Sequence, residues 1–130
     1  MTDPITAVKD FFAAMDTTDL ETAAKALEAS VTDDFVWENT GLPTVNGPQG
    51  GADFLRYFGT QMPLAGIKVD WIAVAAAGNT VVTERIDHLC DASGAPIVSL
   101  PVAGTLEVTD DGKIRAWRDY FDPRPFFAQG

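Results

Sequence analysis

Residues 67–122 read IKVDWIAVAAAGNTVVTERIDHLCDASGAPIVSLPVAGTLEVTDDGKIRAWRDYFD, and this stretch decides the fold. Apolar and polar side chains alternate along most of it, as they do in strands that bury one face. Three short sequences that tolerate positive φ interrupt the pattern: Gly78-Asn79, Ser93-Gly94 and Asp110-Asp111-Gly112. The pattern therefore predicts four strands, at about 67–77, 80–91, 96–109 and 114–122. Strands joined by such short turns pair antiparallel.

The first half of the chain is typical of helices. Asp3 and Pro4 can open a first helix, whose apolar residues recur at helical spacing: Ile5, Val8, Phe12 and Met15. Thr18-Asp19-Leu20-Glu21 has the form of a capping box that opens a second helix. The alternation of Phe35, Trp37 and Asn39 with their neighbours predicts a short strand. A turn-rich passage, Gly41 to Gly51, then precedes a third helix carrying four apolar or aromatic residues: Phe54, Leu55, Tyr57 and Phe58.

Helices followed by antiparallel strands predict an α+β fold. We expect a cone-shaped, curved sheet, mixed but mainly antiparallel, with the N-terminal helices closing a single apolar pocket. A pocket of this kind is a natural site for a small molecule. The 130 residues, 46% of them hydrophobic and 22% charged, fit one globular domain spanning residues 1–130.

Composition excludes several classes of function. Nineteen acidic residues against nine basic ones give a net charge of −10, which argues against binding to nucleic acid or to anionic membranes. The single Cys90 cannot form an internal disulfide, and one His with one Cys makes a protein-held zinc site unfavourable. No apolar run reaches 18 residues, so we expect no membrane span and a cytoplasmic location.

Three charged residues stand among large apolar ones on the predicted strands. Arg85 and Asp87 share one strand face, and Asp119 shares another with Arg115 and Trp117. If these faces meet inside the cone, Arg85 can lie between the two carboxylates, because a guanidinium offers five donors. Two carboxylates that share a guanidinium in a dry pocket can hold different protonation states, as an acid and a base. The same spacing also fits an exposed cross-strand ion pair.

These residues carry a resemblance to a known family. Thr83-Glu84-Arg85-Ile86-Asp87, followed by Gly112-Lys113-Ile114-Arg115-Ala116-Trp117-Arg118-Asp119-Tyr120-Phe121-Asp122, resembles the limonene-1,2-epoxide hydrolase family. The similarity extends from the Trp37–Asn39 strand to Phe126. It implies the cone of the nuclear-transport-factor-2-like and polyketide-cyclase-like fold, a homodimer, and addition of water to an epoxide without metal or organic cofactor.

The resemblance also implies roles for individual residues. Asp119 would be the base that activates water, Asp87 the acid that protonates the epoxide oxygen, and Arg85 the bridge between them. The family holds the water with a Tyr-x-Asn pair, of which Asn39 is present whereas Trp37 stands at the Tyr position. Four apolar residues match the family's pocket wall and suit a small apolar epoxide: Leu100, Val102, Phe121 and Phe126.

Two other kinds of function remain open at the level of sequence. An isomerase or polyketide cyclase of the same fold would use Asp119 or Asp87 as a base on carbon, and a non-catalytic module would only bind a small molecule. The α/β-hydrolase type of epoxide hydrolase is disfavoured because it needs a larger fold and a His base. The lone His88 is predicted on the face opposite Asp87, and Cys90 is expected to be a small apolar filler.

Overall fold

The computed structural model of the chain describes residues 3–127. Its elements follow in the order α1 (Pro4–Ala14), α2 (Leu20–Ser30), β1 (Val31–Asn39), β2 (Val45–Asn46), α3 (Gly47–Gln61), β3 (Gly66–Ala77), β4 (Thr80–Cys90), β5 (Pro96–Val108), β6 (Ile114–Tyr120) and α4 (Arg124–Phe127). The four strands predicted from residues 67–122 are therefore confirmed, with ends that differ by two residues at most.

The first two helices begin at carboxylate caps. The Asp3 side chain accepts a hydrogen bond from the Thr6 backbone N–H at 3.0 Å. Asp19 accepts one from the Thr22 N–H at 3.1 Å, so the predicted cap at Thr18 is wrong by one residue. An ionised carboxylate both accepts the free N–H and interacts favourably with the positive end of the helix dipole, which favours Asp19 over the neighbouring hydroxyl.

Helix α3 begins earlier than the sequence predicts. The passage from Gly41 to Gly51 contains the short strand β2 and the first turn of the helix, with Pro48 in that turn. Its glycines weaken the helical signal. Gly51 is nevertheless buried against α2, where an added Cβ would stand 2.6 Å from the Leu27 side chain. Close packing between the two helices thus explains a glycine whose sequence context is typical of a turn.

The strands form one open, curved sheet in the order β2-β1-β6-β5-β4-β3. Strands β3 to β6 pair antiparallel in succession, whereas β1 lies parallel to β6, so the sheet is mixed as expected. The helices cover its inner face. The core between the two layers is made of buried apolar side chains, among them Phe12, Leu27, Phe35, Leu106 and Trp117.

A bulge in β6 changes which residues face inward. Glu107 pairs with Ala116 and Val108 pairs with Ile114, which leaves Arg115 without an opposite residue on β5. Ala116 and Trp117 are consequently both buried, and Arg115 is exposed. The prediction that Arg115 shares the inner face with Trp117 is wrong, because the extra residue shifts the alternation.

Candidate active site

Strand β4 carries three polar side chains on the inner face. Thr83, Arg85 and Asp87 are buried. Val82 and Glu84, the neighbours of Thr83 in the chain, are exposed. This is the alternation of a strand whose one side faces the core. The Arg85 side chain is 0% exposed, which excludes the exposed ion pair that the spacing alone allowed.

The guanidinium of Arg85 connects two carboxylates. Its Nε donates to Oδ1 of Asp87 at 2.9 Å, and its Nη2 donates to Oδ2 of Asp87 at 2.8 Å. The same Nη2 donates to Oδ2 of Asp119 at 2.8 Å. The face of the guanidinium packs on the Phe12 ring, with Cζ 4.6 Å from the ring centroid. The structure thus brings together the three charged residues that the sequence singled out.

The parallel pairing of β1 with β6 brings residues of β1 next to the cluster of Arg85, Asp87 and Asp119. Asn39 lies opposite Asp119, and Trp37 lies opposite Trp117. The two indole rings stack, with centroids 4.2 Å apart and planes 9° from parallel. Three buried atoms here have no hydrogen-bond partner within residues 3–127: Trp37 Nε1, Trp117 Nε1 and Asp119 Oδ1.

These residues border an apolar cavity of about 500 Å³, a volume that includes the space at its open mouth. Eight of the nine predicted site residues line it: Trp37, Asn39, Asp87, Leu100, Val102, Asp119, Phe121 and Phe126. Arg85 lies behind the two carboxylates rather than at the cavity surface. The carboxylates are therefore the charged groups that a bound molecule can reach.

The remaining wall of the cavity was not predicted from the sequence. It comes from the loop between β1 and β2, from α3 and the segment that follows it, and from strands β3, β4 and β6, with Leu42, Leu55, Phe58, Leu64, Ile67, Leu89 and Trp117. Leu55 and Phe58 stand three positions apart on α3, a helical spacing that could have indicated one shared face. Phe126 contacts the rings of Phe58 and Phe121, with centroids 5.6 and 5.8 Å away, and so covers one side of the cavity.

Burial and charge act in opposite directions on this cluster. Burial raises the pKa of Asp119 to about 6, although the charge and the hydrogen bond of Arg85 lower it. Burial also lowers the pKa of Arg85, but the hydrogen bonds and charges of Asp87 and Asp119 outweigh it and raise that pKa above its ordinary value. Arg85 therefore stays positively charged, while Asp119 can change its protonation state near neutral pH.

Other polar residues lie outside the cavity. His88 is half-buried on the outer face, where its Nδ1 is 2.8 Å from Ser99 Oγ and its Nε2 is 2.8 Å from Asp70 Oδ2. Arg124 pairs with Asp122 next to α4.

Within residues 3–127, no three His, Cys, Asp or Glu side chains form a group that could hold a metal ion. No helix in the same range is long and apolar enough to cross a membrane.

Comparison with known proteins gives a family match over nearly the whole chain. Residues 2–129 match the limonene-1,2-epoxide hydrolase catalytic domain. The chain is 36% identical over 121 residues to epoxide hydrolase EphG of Mycobacterium tuberculosis, covering 93% of this chain and 74% of that protein.

Solved structures show the same similarity in three dimensions. A limonene-epoxide-hydrolase-like epoxide hydrolase of Mycobacterium tuberculosis superposes with a TM-score of 0.71 at 33% identity, covering 95% of this chain and 86% of that one. An NTF2-like protein of unknown function from Cytophaga hutchinsonii has a TM-score of 0.70 at 18% identity, covering 98% and 96%. A SnoaL-like polyketide cyclase candidate from Shewanella putrefaciens has a TM-score of 0.75 at 17% identity, covering 99% and 86%. The last two likenesses concern the fold alone.

Proposed function

The chain belongs to the limonene-1,2-epoxide hydrolase family, and we propose that it adds water to a small, mostly apolar epoxide to give a vicinal diol. The observation that carries this proposal is the bridge of Arg85 between two buried carboxylates that border an apolar cavity. The cavity wall suits an apolar substrate, and the two carboxylates supply the acid and the base that ring opening requires.

In the proposed reaction Asp119 is the base and Asp87 is the acid. An epoxide has a poor leaving oxygen, so opening it at neutral pH needs a proton at that oxygen and an activated water at carbon. Asp119 takes a proton from the water as the water oxygen bonds to carbon. The carbon–oxygen bond of the ring breaks, and Asp87 gives its proton to the released oxygen. Asp119 then holds a proton and Asp87 does not, so one proton returns to Asp87 before the next turnover.

A pKa of about 6 suits Asp119 for this role. A carboxylate with an ordinary pKa near 3.9 is a weak base, whereas one titrating near 6 is stronger and is still mostly ionised at pH 7. Arg85 holds the two carboxyl groups in place and supplies the counter-charge for whichever of them is ionised.

Trp37 and Asn39 are proposed to hold the attacking water. The side-chain oxygen of Asn39 can accept one hydrogen of the water while Asp119 accepts the other. The indole N–H of Trp37 can donate to a lone pair of the same water, which is the part a phenol hydroxyl can also play. Trp37, Asn39 and Asp119 all border the cavity, and Asn39 lies opposite Asp119 in the paired strands, which supports this arrangement.

The other functions of this fold fit the cluster less well. An isomerase or a cyclase needs one base and a donor for an oxyanion, and a binding module needs neither. None of them requires two carboxylates joined by one buried guanidinium, whose desolvation is costly. The doubly bridged pair therefore favours the hydrolase.

We further propose a homodimer that uses the outer face of the sheet. Ile72, Val82 and Tyr120 are each about half exposed there, at 56%, 48% and 58%. A second copy would cover them, and the molar mass in solution tests this. The single domain and the cytoplasmic location stay predictions from the sequence.

The experiment that tests the proposed function is diol formation from terpene, cycloalkene and styrene oxides. Reactions in buffer alone and with the Asp119→Asn variant are the controls. Turnover of at least one oxide by the wild-type protein and not by the variant is expected. Equal diol formation in all three reactions, across the whole panel, would overturn the proposal.

A further inference from the structure

Thr83 is one of four buried polar or charged side chains in the described chain, with Arg85, Asp87 and Asp119. The other three have a place in the proposed reaction, whereas Thr83 does not border the cavity. A polar group inside a core costs stability unless it makes hydrogen bonds. Its contacts therefore indicate what it does.

The Thr83 hydroxyl connects Arg85 to the neighbouring strand. It lies 3.0 Å from the backbone carbonyl oxygen of Gly104, which can only accept, so the hydroxyl hydrogen points there. Its lone pairs are then free to accept from Nη1 of Arg85, 2.8 Å away. The direction of both hydrogen bonds is thus fixed by the chemistry of the partners.

This contact secures the corner of the guanidinium that the carboxylates do not touch. Asp87 holds Nε and Nη2, and Asp119 shares Nη2. Because the guanidinium is flat and rigid, fixing Nη1 at Thr83 also fixes the direction in which Nη2 points. Nη2 must meet oxygens of both carboxylates at 2.8 Å, and a small rotation of the plane would lengthen at least one of these contacts.

Gly104 supports the same arrangement from β5. A Cβ at this position would overlap Oδ1 of Asp119 and stand 3.1 Å from Nη1 of Arg85. It would also stand 2.8 Å from the backbone carbonyl oxygen of Arg118. Because Gly104 has no side chain, the Asp119 carboxylate can occupy this space. It lies there next to the residue whose backbone carbonyl orients Thr83.

We propose that Thr83 is a positioning residue, whose hydroxyl, oriented by the Gly104 carbonyl, sets the plane of Arg85 and thereby the hydrogen bond between Arg85 and Asp119. The proposal rests on the proposed hydrolase function where it concerns turnover. The effect of the Thr83 hydroxyl on the Asp119 carboxyl does not depend on whether the protein turns over an epoxide. Among the described residues, the titratable or charged groups that face that carboxyl are Arg85 and Asp87, both on β4.

The test is a pH titration of the Asp119 carboxyl carbon by ¹³C NMR, in protein labelled at aspartate and with Asp119→Asn to identify the signal. Thr83→Val has nearly the shape of threonine and removes the hydroxyl. With the guanidinium less firmly held, Arg85 stabilises the ionised carboxyl less, so the pKa of Asp119 should rise above its wild-type value. Thr83→Ser keeps the hydroxyl and should titrate as the wild type does.

The matched control is Thr105→Val, on β5 next to Gly104 but with its side chain on the outer face, which should leave the titration unchanged. An Asp119 pKa in Thr83→Val equal to that of the wild type would overturn the proposal. If Thr83→Val does not fold, Thr83→Ala replaces it, and equal titration of the alanine and serine variants would overturn the proposal.

Turnover provides a second readout. Thr83→Val should lower kcat/KM for diol formation about tenfold, the effect of one lost hydrogen bond, and Thr83→Ser should restore it. The acid limb of the pH–rate profile should move to higher pH together with the NMR titration. A wild-type protein that makes no diol would contradict the hydrolase function, whereas an unchanged titration would contradict the role of Thr83, so the two failures are distinguishable.

Discussion

Nη2 of Arg85 lies 2.8 Å from Oδ2 of Asp119, a contact between residues 34 positions apart in the chain. Both side chains are almost completely buried, at 0% and 5% exposure. A charge pair taken out of water is costly to form, and removal of one partner leaves the other charge uncompensated. This pair is therefore unlike the surface ion pairs of the molecule, such as that of Arg56 with Glu21.

The first prediction concerns the three charged residues. Asp87→Asn, Asp119→Asn and Arg85→Ala should each lower kcat for diol formation by at least about a hundredfold, since each removes the acid, the base or the bridge. Arg85→Ala should also lower the free energy of unfolding by about 3–5 kcal/mol, because the buried carboxyl groups lose their counter-charge and their hydrogen-bond donor. Steady-state kinetics and denaturant unfolding measure the two effects.

The control for these variants is Asp70→Asn, which changes an exposed carboxylate on the neighbouring strand β3. It should keep wild-type turnover. Folded Asp87→Asn and Asp119→Asn variants with near-normal turnover would show that the buried pair is structural rather than catalytic.

The second prediction concerns the residues proposed to hold the water. Asn39→Ala should lower kcat about tenfold, the effect of one missing hydrogen bond of ~1.4 kcal/mol. Trp37→Tyr should retain turnover or raise it, because a phenol hydroxyl can both donate to and accept from water. Wild-type turnover by Asn39→Ala would mean that the water is held elsewhere.

The third prediction is a dependence of turnover on pH. The base must be ionised, and burial raises the pKa of Asp119 to about 6. kcat/KM should therefore fall as the pH decreases through about 6, rather than through the range near 4 that an exposed aspartate would give. A profile that stays level down to pH 4.5 would exclude Asp119 as the base.

The same shift predicts a dependence of stability on pH. The pKa of Asp119 is higher in the folded chain, about 6, than its ordinary 3.8, so the folded state binds more protons between these values. The proton on Asp119 stabilises the folded state fully below pH 3.8. This stabilisation, about 3 kcal/mol in total, is lost as the pH rises through 6. The free energy of unfolding of Asp119→Asn, measured relative to that of the wild type, should therefore be higher at pH 7.5 than at pH 4. A pH-independent difference between the two proteins would contradict the shift.

A further prediction concerns Phe126, which covers one side of the cavity by contact with Phe58 and Phe121. Phe126→Ala should raise KM for a small apolar epoxide several-fold with a smaller change in kcat, because it removes apolar contact rather than a reacting group. Tyr57→Ala, which removes an exposed aromatic ring from α3, is the control and should change neither constant. An unchanged KM in Phe126→Ala would remove Phe126 from the binding site.

Much of the fold could be predicted because the information was local. The alternation along residues 67–122 and its turn sequences specify four paired strands without reference to the rest of the chain. The inner-face position of Arg85 and Asp87 follows from the same alternation. The bulge at Arg115 could not be predicted, since it depends on how β5 and β6 meet over the core.

The parts of the site that the sequence did not predict are those that depend on close packing between distant elements. Thr83 resembles any β-branched residue of a strand, and its link to Arg85 and Gly104 becomes visible only in the paired sheet. Phe58 was placed on the third helix, but its position in the cavity wall depends on how that helix packs against the sheet, which the sequence does not show.

The most direct test of the central claim is a single turnover in ¹⁸O-labelled water with enzyme in excess over epoxide. If Asp119 acts as a base and water attacks carbon directly, the newly added hydroxyl of the diol carries the label in the first turnover. An ester formed by a carboxylate would instead deliver an unlabelled oxygen first and leave the label in the protein. Labelled diol is the result expected. Unlabelled diol, with ¹⁸O recovered in a peptide containing Asp87 or Asp119, would contradict the account.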